Sequence, residues 1–260
     1  MPNPRWTHDR KLSKGRHGIV GVDEAGRGCL AGPVVAGCVL LPAPFFGIAR
    51  NRKKVEQVND SKQFSETQRE VLYESILQLA QEGELMAASG SASIEEIEQH
   101  NIVGATCLAM RRAMEKVSHI SEGFWQPEAK GDGDLFGEMN SQGGAGWEVL
   151  VDGREMKRLP YAHTGLVKGD TLSLAISMAS LVAKVTRDRL MRELDAQYPQ
   201  YDFCSNKGYG APLHLKALKE IGPTMHHRPR FLRNLLGQGS PKEKRSEEQC
   251  QLSFGRKFSK

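Results

Sequence analysis

Two rhythms of apolar residues divide the chain. Short β-branched runs predict strands, and stretches with apolar residues every three or four positions predict helices. Gly18 to Asp23, GIVGVD, is the first strand, and Pro33 to Leu41, PVVAGCVLL, is the second, closed by Pro-Ala-Pro. The polar, basic stretch Arg50 to Ser61 reads as a loop. Ser65 followed by Gln68 has capping-box spacing and opens a helix with Val71, Leu72, Ile76, Leu77 and Leu79 at helical intervals. Glu84 to Ser89 predicts a third strand. Ser93 with Glu96 repeats the capping box and starts a short helix, and a further helix follows from about Val103 to Val117. Trp147 to Gly153, WEVLVDG, predicts a fourth strand, and Tyr161 to Lys168 a fifth extended segment ending at Gly169-Asp170. A long helix from about Leu172 to Gln197 carries Ala175, Ile176, Ala179, Leu181, Val182, Val185 and Leu190, and stops before Pro199. A last helix runs from Pro212 to Ile221. There is no internal repeat. Strands mixed with covering helices predict a layered α/β domain.

Composition and charge refine this picture. At 260 residues, with 39% hydrophobic and 26% charged residues, the chain is long enough to bury a core and has an ordinary globular balance. The net charge of +5 is unevenly spread. Residues 1–17 carry five Lys/Arg against one acid, and residues 239–260 carry six against three. Residues 121–148 carry one Lys against six acids. The expected organisation is therefore a flexible N-terminal extension over 1–17, a folded body over 18–238 with a mobile Gly- and acid-rich insertion near 121–146, and a disordered basic tail over 239–260. Basic tails suit a polyanionic partner and equally suit solvated ends that bind nothing. The five cysteines, Cys29, Cys38, Cys107, Cys204 and Cys250, are odd in number and form no C-x-x-C pair, which fits a reducing cytoplasm and argues against a disulfide framework and a structural zinc site. No apolar stretch approaches the ~18 residues of a membrane span, and the first residues lack a signal peptide's apolar region. A monomer is the default expectation.

The chemistry lies in acids that end strand-like segments: Asp23 and Glu24, Asp152, and Asp170. In open α/β sheets, sites form at strand ends. One such acid means little, because acids there commonly cap helices or stay solvated, and Asp170 is placed to cap the long helix after it. Several converging carboxylates repel one another, and hard Mg²⁺ or Mn²⁺ relieves that repulsion. Two such ions ~4 Å apart clamp the attacking and leaving oxygens of a phosphodiester. Neighbours on a strand face opposite ways, so Asp23 and Glu24 can share a site only if the strand ends there, as Gly26 and Gly28 would allow. A dinucleotide fingerprint is the rival for GRGCLAG, but Gly32 comes one residue late and Pro33 with another β-branched run follows it.

With these residues in hand, the chain resembles the type 2 ribonuclease H family. VDEAGRG, LAGPVVAGCVLL, the Asp60-Ser61-Lys62 motif, VLVDG, VKGD, SMASLVAKVTRDRLM, NKGYGAPLH and GPTMHHRPRF recur in order from about Gly18 to Phe231. The resemblance implies a ribonuclease H-like layered α/β fold with a mixed central sheet and a helical C-terminal portion. It implies hydrolysis of the RNA strand of RNA–DNA hybrids and nicking 5′ of ribonucleotides embedded in duplex DNA, leaving 3′-hydroxyl and 5′-phosphate ends. By match to the family's motifs, Asp23, Glu24, Asp152 and Asp170 are catalytic carboxylates holding two divalent ions, Mg²⁺ or Mn²⁺. Gly26, Arg27 and Gly28 sense the 2′-hydroxyl, Tyr209 stacks on the neighbouring deoxyribose, and Lys62 contacts phosphate. The physics agrees, since glycine brings backbone groups close to a sugar and the 2′-hydroxyl distinguishes RNA from DNA.

Other candidates weigh less. Lys184 and Arg187 could face phosphate or be solvated. Asp188, well inside the helix, reads as structural, paired to a neighbouring Arg. His214, His226 and His227 are assigned no catalytic part, because metal-bound water needs no general base. Gln251 to Phe258, QLSFGRKF, resembles the short peptides that bind bacterial sliding clamps, although it lacks a residue before Phe254. The alternative function is a non-catalytic nucleic-acid-binding module on the same fold, against which the intact carboxylate set speaks.

Overall fold

The computed structural model describes residues 3–58, 64–130 and 146–233. Strand β1 (Gly18–Ala25) pairs antiparallel with β2 (Val34–Pro42) and parallel with β4 (Trp147–Asp152). Strand β3 (Met86–Ala92) adds antiparallel to β2, and β5 (Thr164–Leu166) adds parallel to β4. The sheet order is β3-β2-β1-β4-β5, a mixed sheet with β1 at its centre.

Helices cover both faces. On one side lie α1 (Pro4–Leu12), α3 (Glu66–Gln81) and the long α6 (Leu174–Gln197), where Ile19, Leu41 and Leu150 meet Leu72, Ile76, Ala175 and Met178. On the other lies α4 (Ile94–Ile120), where Val20, Val22 and Val151 meet Ala109, Met110 and Met114. Short α2 (Ala49–Lys54) follows β2, and α5 (Gly169–Leu172) immediately precedes α6. A third cluster, with Met191, Tyr201, Phe203 and Leu218, seats α7 (Phe203–Asn206), α8 (Pro212–Ile221) and α9 (Pro229–Leu232) against the far end of α6.

Helix α6 lies unusually close to the sheet. A Cβ on Gly21 would stand 2.2 Å from the Ala175 carbonyl carbon, and one on Gly37 would stand 2.2 Å from the Ala179 carbonyl oxygen. Both obstacles are backbone and cannot rotate aside. Gly37→Ala is therefore expected to cost about 3 kcal/mol, read as a lower urea midpoint at unchanged slope. An unchanged midpoint would mean that helix and sheet lie further apart in solution.

Several expectations need correction. Within 1–17, residues 4–12 are not a flexible extension but helix α1, held by Trp6 against Phe45 and Phe46 with ring centroids 5.4 and 5.2 Å away. The stretch expected to be a loop contains α2, tied down by Asn51, whose Nδ2 donates to Glu84 at 2.9 Å. The insertion near 121–146 begins with an ordered part, where Trp125 is buried and Ala129 bridges Tyr161; residues 131–145 lie outside the described residues. The fifth extended segment shrinks to the three residues of β5. Asp170 consequently ends no strand: Lys168 takes a left-handed turn (φ 58°) and starts α5. The two expected helices of 93–117 run on as α4, with their junction at Asn101, whose φ of 56° breaks the helix. Val71, expected on a buried face, is exposed.

Candidate active site

The last paired residues of β1 and β4 are Val22 and Val151, so Asp23 and Asp152 come next to each other on adjacent parallel strands. Pleating puts both on the same face as Gly21 and Leu150, toward α6. Glu24 follows on β1, which ends at Ala25; the chain then turns at Gly26, with φ 87°. The strand does not end at Asp23 as expected: both acids stay paired with β2, but pairing with β4 stops at Val22, and at this open edge both line one cleft of about 270 Å³, together with Arg27, Asp152, Lys184 and Tyr209. A hollow of about 480 Å³ near the end of α4 is larger, but chemistry rather than size picks out the cleft with the acids.

The carboxylates are held at electrostatic cost. Asp23 is only 6% exposed. Burial first, then the charges of Glu24 and Asp152, push its pKa well above the ordinary aspartate value. The Glu24 backbone N–H donates to Asp23 Oδ1 at 2.7 Å, a partial compensation. Glu24 is raised by burial against the opposing pull of Arg27, whose Nη1 lies 3.3 Å from Glu24 Oε1. Asp152 is raised by burial and by Asp170, and its Oδ1 accepts the Gly169 N–H at 2.6 Å. Asp170 is 4% exposed and stands behind Asp152, outside the groups lining the cleft.

These residues fit a hard divalent cation of one particular kind. Among the described residues, no three His, Cys, Asp or Glu side chains are gathered tightly enough to cage an ion by themselves. An open, carboxylate-lined cleft instead suits an ion that keeps several waters and takes one or two carboxylates plus substrate phosphate.

The Gly26-Arg27-Gly28 turn is braced from below by two arginines. A Cβ on Gly26 would sit 1.9 Å from Arg187 Nε. Arg187 is buried and donates to the carbonyls of Ala31, Pro33 and Lys207. Arg228, buried as well, donates to the carbonyls of Arg27 and Gly32, and burial lowers its pKa to about 10. The Leu30 N–H donates to the Gly208 carbonyl at 2.8 Å, linking this turn to the segment that presents Tyr209, itself 47% exposed.

The structure thus gathers Asp23, Glu24, Asp152, Gly26, Arg27, Gly28 and Tyr209, and sets Asp170 beside them. Lys62 and Gln251 to Phe258 lie outside the described residues. Arg187 neither faces phosphate nor meets solvent, and Asp188 pairs with Lys184 at 2.7 Å and Arg69 at 3.5 Å. His214 and His227 are buried and joined Nε2 to Nε2 at 3.0 Å, with His214 Nδ1 at 2.7 Å from the Tyr209 carbonyl oxygen. Sequence reasoning missed Arg228, Arg5 and Asp9 as supports, because none lies in a periodic segment and each is defined by partners distant in sequence.

A five-stranded mixed sheet under helices, with carboxylates where its two central parallel strands end, is the architecture of the ribonuclease H-like nucleases. Solved structures share this fold. Bst-RNase HIII in complex with Mn²⁺ superposes with a TM-score of 0.60 at 14% identity, over 91% of this chain and 73% of that one. The RNase HII of Archaeoglobus fulgidus, solved as its complex with PCNA, gives 0.58 at 22% identity, over 86% and 99%. In sequence, the ribonuclease HII of Lachnoclostridium phytofermentans is 41% identical over 217 residues, 84% of this chain and 71% of that protein. The family model for ribonuclease HII matches residues 20–123 and 147–234, and the chain belongs to that family. It is a ribonuclease H, an endonuclease that degrades the RNA strand of RNA–DNA hybrids and depends on a divalent metal ion.

Proposed function

We propose that the protein also nicks duplex DNA on the 5′ side of embedded ribonucleotides, leaving 3′-hydroxyl and 5′-phosphate ends, and so opens the excision of ribonucleotides from DNA. The carrying observation is that Asp23 and Asp152 lie side by side on one face where the parallel pairing of β1 and β4 ends, and share their cleft with the Gly26-Arg27-Gly28 turn and Tyr209. In this reading Asp23, Glu24 and Asp152, with Asp170 behind them, hold two Mg²⁺ or Mn²⁺ ions. Held there, such ions would supply Lewis-acid activation of water and charge neutralisation at the leaving oxygen. The residues of the chain do the rest. Arg27 supplies donors to the sugar–phosphate at the junction. The glycine on either side of Arg27 lets the main chain approach the 2′-hydroxyl. Tyr209 offers its exposed ring to the adjacent deoxyribose, and Lys62 contacts phosphate.

The catalytic body expected over 18–238 takes in α1 as well and acts in the cytoplasm, consistent with cysteines scattered without C-x-x-C pairing. Among the described residues no helix is long and apolar enough to cross a membrane. The Gln251 to Phe258 segment is a clamp-binding peptide in this reading, supported by the Archaeoglobus fulgidus complex with PCNA. Saturable binding of the isolated 251–258 peptide to a bacterial clamp is expected, and none would remove that part.

The test of the function is selectivity. Wild-type protein is expected to cut a duplex containing one ribonucleotide as well as a long hybrid, and to leave all-DNA duplex intact. Arg27→Ala is expected to lower cleavage at the single ribonucleotide about 10–100-fold, the worth of one or two charge-assisted hydrogen bonds, and to affect long hybrids less. If Arg27→Ala leaves the preference for a ribonucleotide–DNA junction unchanged, the arginine does not sense it.

A further inference from the structure

Helix α1 makes two kinds of contact. Its apolar anchor, Trp6, packs on Phe45 and Phe46, away from the cleft. Its polar residues reach toward the segment that carries Asp170. Arg5 Nε donates to the Asp170 carbonyl oxygen at 2.9 Å. Asp9 is fully buried, and its Oδ2 accepts from Ser173 Oγ at 3.0 Å and from the Ala175 N–H at 2.9 Å. Ala175 belongs to the first turn of α6, whose N-cap is Ser173. A buried carboxylate is costly unless it is paired or hydrogen-bonded. Here it meets the free N–H groups and positive dipole end of a 24-residue helix.

The peptide between these grips is short. The Gly169 N–H is held by Asp152 Oδ1 at 2.6 Å, and the Gly169 carbonyl accepts the Ser173 N–H at 2.8 Å. Arg5 takes the Asp170 carbonyl, and Asp9 takes Ser173 and Ala175. The main chain on both sides of Asp170 is therefore fixed at successive points, two of them supplied by α1. At the same helix, Asn3 Nδ2 donates to the Val58 carbonyl at 2.9 Å and the Glu56 carbonyl at 3.3 Å, just ahead of the Asp60-Ser61-Lys62 motif.

We propose that α1 is a positioning element of the metal site: Arg5 and Asp9, acting through the main chain from Asp170 to Ala175, hold the Asp170 carboxylate in place beside Asp152. This rests on the reading that Asp170 and Asp152 hold the divalent ion. Neither Arg5 nor Asp9 is among the residues lining the cleft. Their contribution is to limit the conformations of Asp170, as outer partners of metal ligands do.

The test is Mn²⁺ binding by titration calorimetry on the full chain without nucleic acid, alongside thermal melting in chelator. Arg5→Gln and Asp9→Asn are each expected to weaken Mn²⁺ binding about tenfold or more, and Arg5→Lys to recover part of the loss. The cleavage rate as a function of Mn²⁺ should shift to higher metal by the same factor. Asp170→Asn is the control on the underlying reading and should weaken binding at least as much. If Asp170→Asn weakens binding but folded Arg5→Gln and Asp9→Asn bind as wild type does, α1 is only a structural strut and the proposal fails alone. If Asp170→Asn itself binds Mn²⁺ unchanged, the reading of Asp170 fails and carries the proposal with it. Should Asp9→Asn not fold, Ser173→Ala removes one Asp9 contact without stranding a charge. It is then expected to weaken Mn²⁺ binding in the same direction, and unchanged binding would count against the proposal.

Discussion

Asp23→Asn is expected to abolish cleavage and yet to make the protein more stable in chelator. The loss should reach about 10³-fold, or ~4 kcal/mol of transition-state stabilisation, because Asp23 is the carboxylate most enclosed by the cleft and most exposed to its neighbours' charge. The gain follows from the same burial. A carboxylate whose pKa is raised in the folded state disfavours folding when ionised. Above the raised pKa the penalty is fully present. As pH falls through that value toward the ordinary aspartate range, the folded state takes up a proton and the penalty disappears. Metal-free wild-type protein should therefore gain stability on mild acidification from neutral pH, and Asp23→Asn should show less of this dependence. A relief of about 1 kcal/mol would raise Tm by ~2–4 °C for a chain of this size. A variant that is inactive and also less stable would mean that Asp23 is mainly a structural hydrogen-bonding group, acting through the Glu24 N–H and Ser180.

Divalent cations are expected to stabilise the wild type and not Asp23→Asn. An ion that binds the folded state alone adds about 2.7 kcal/mol at a hundredfold excess over its dissociation constant. In thermal melts that corresponds to a rise of roughly 5–10 °C on going from chelator to saturating Mn²⁺ or Mg²⁺. The raised carboxylates supply the driving force, since the cation removes repulsion that protonation would otherwise have to remove. A Ca²⁺ arm would separate binding from hydrolysis, as it offers charge with looser geometry. Equal stabilisation of Asp23→Asn would place the ion elsewhere on the protein.

The central strands were legible because they carry long β-branched runs buried on both faces, as Ile19, Val20 and Val22 are. The capping boxes at Ser65 and Ser93 form as their spacing predicts, with both reciprocal hydrogen bonds at each. The acids were found because strands end where their apolar runs end. What stayed hidden depends on partners distant in sequence. Helix α2, ARNRKK, has no apolar periodicity and is held by Asn51 reaching Glu84. Helix α1 has one large apolar anchor, and its Asp9 and Arg5 look like surface charges until α6 and Asp170 are placed beside them. Asp170 was read at a strand end because Lys168 gives no sign that it will turn left-handed. Arg187, expected to face phosphate or solvent, and Arg228, not singled out, stayed hidden as supports for a similar reason: a buried arginine is recognisable only when the carbonyls that receive it are known. The family motifs singled out these residues more sharply than periodicity did, and the structure shows which of them line one cleft.

The most direct measurement is the position and chemistry of the cut in a DNA duplex containing one ribonucleotide, with both product ends mapped. It would be run with Mg²⁺, with Mn²⁺ and with chelator, beside an all-DNA duplex and Asp23→Asn. The account predicts a single metal-dependent nick 5′ to the ribonucleotide, with 3′-hydroxyl and 5′-phosphate ends, absent from the chelator, all-DNA and Asp23→Asn arms. Folded protein that binds this duplex and leaves it whole in every metal, or cuts it on the 3′ side of the ribonucleotide, would contradict it.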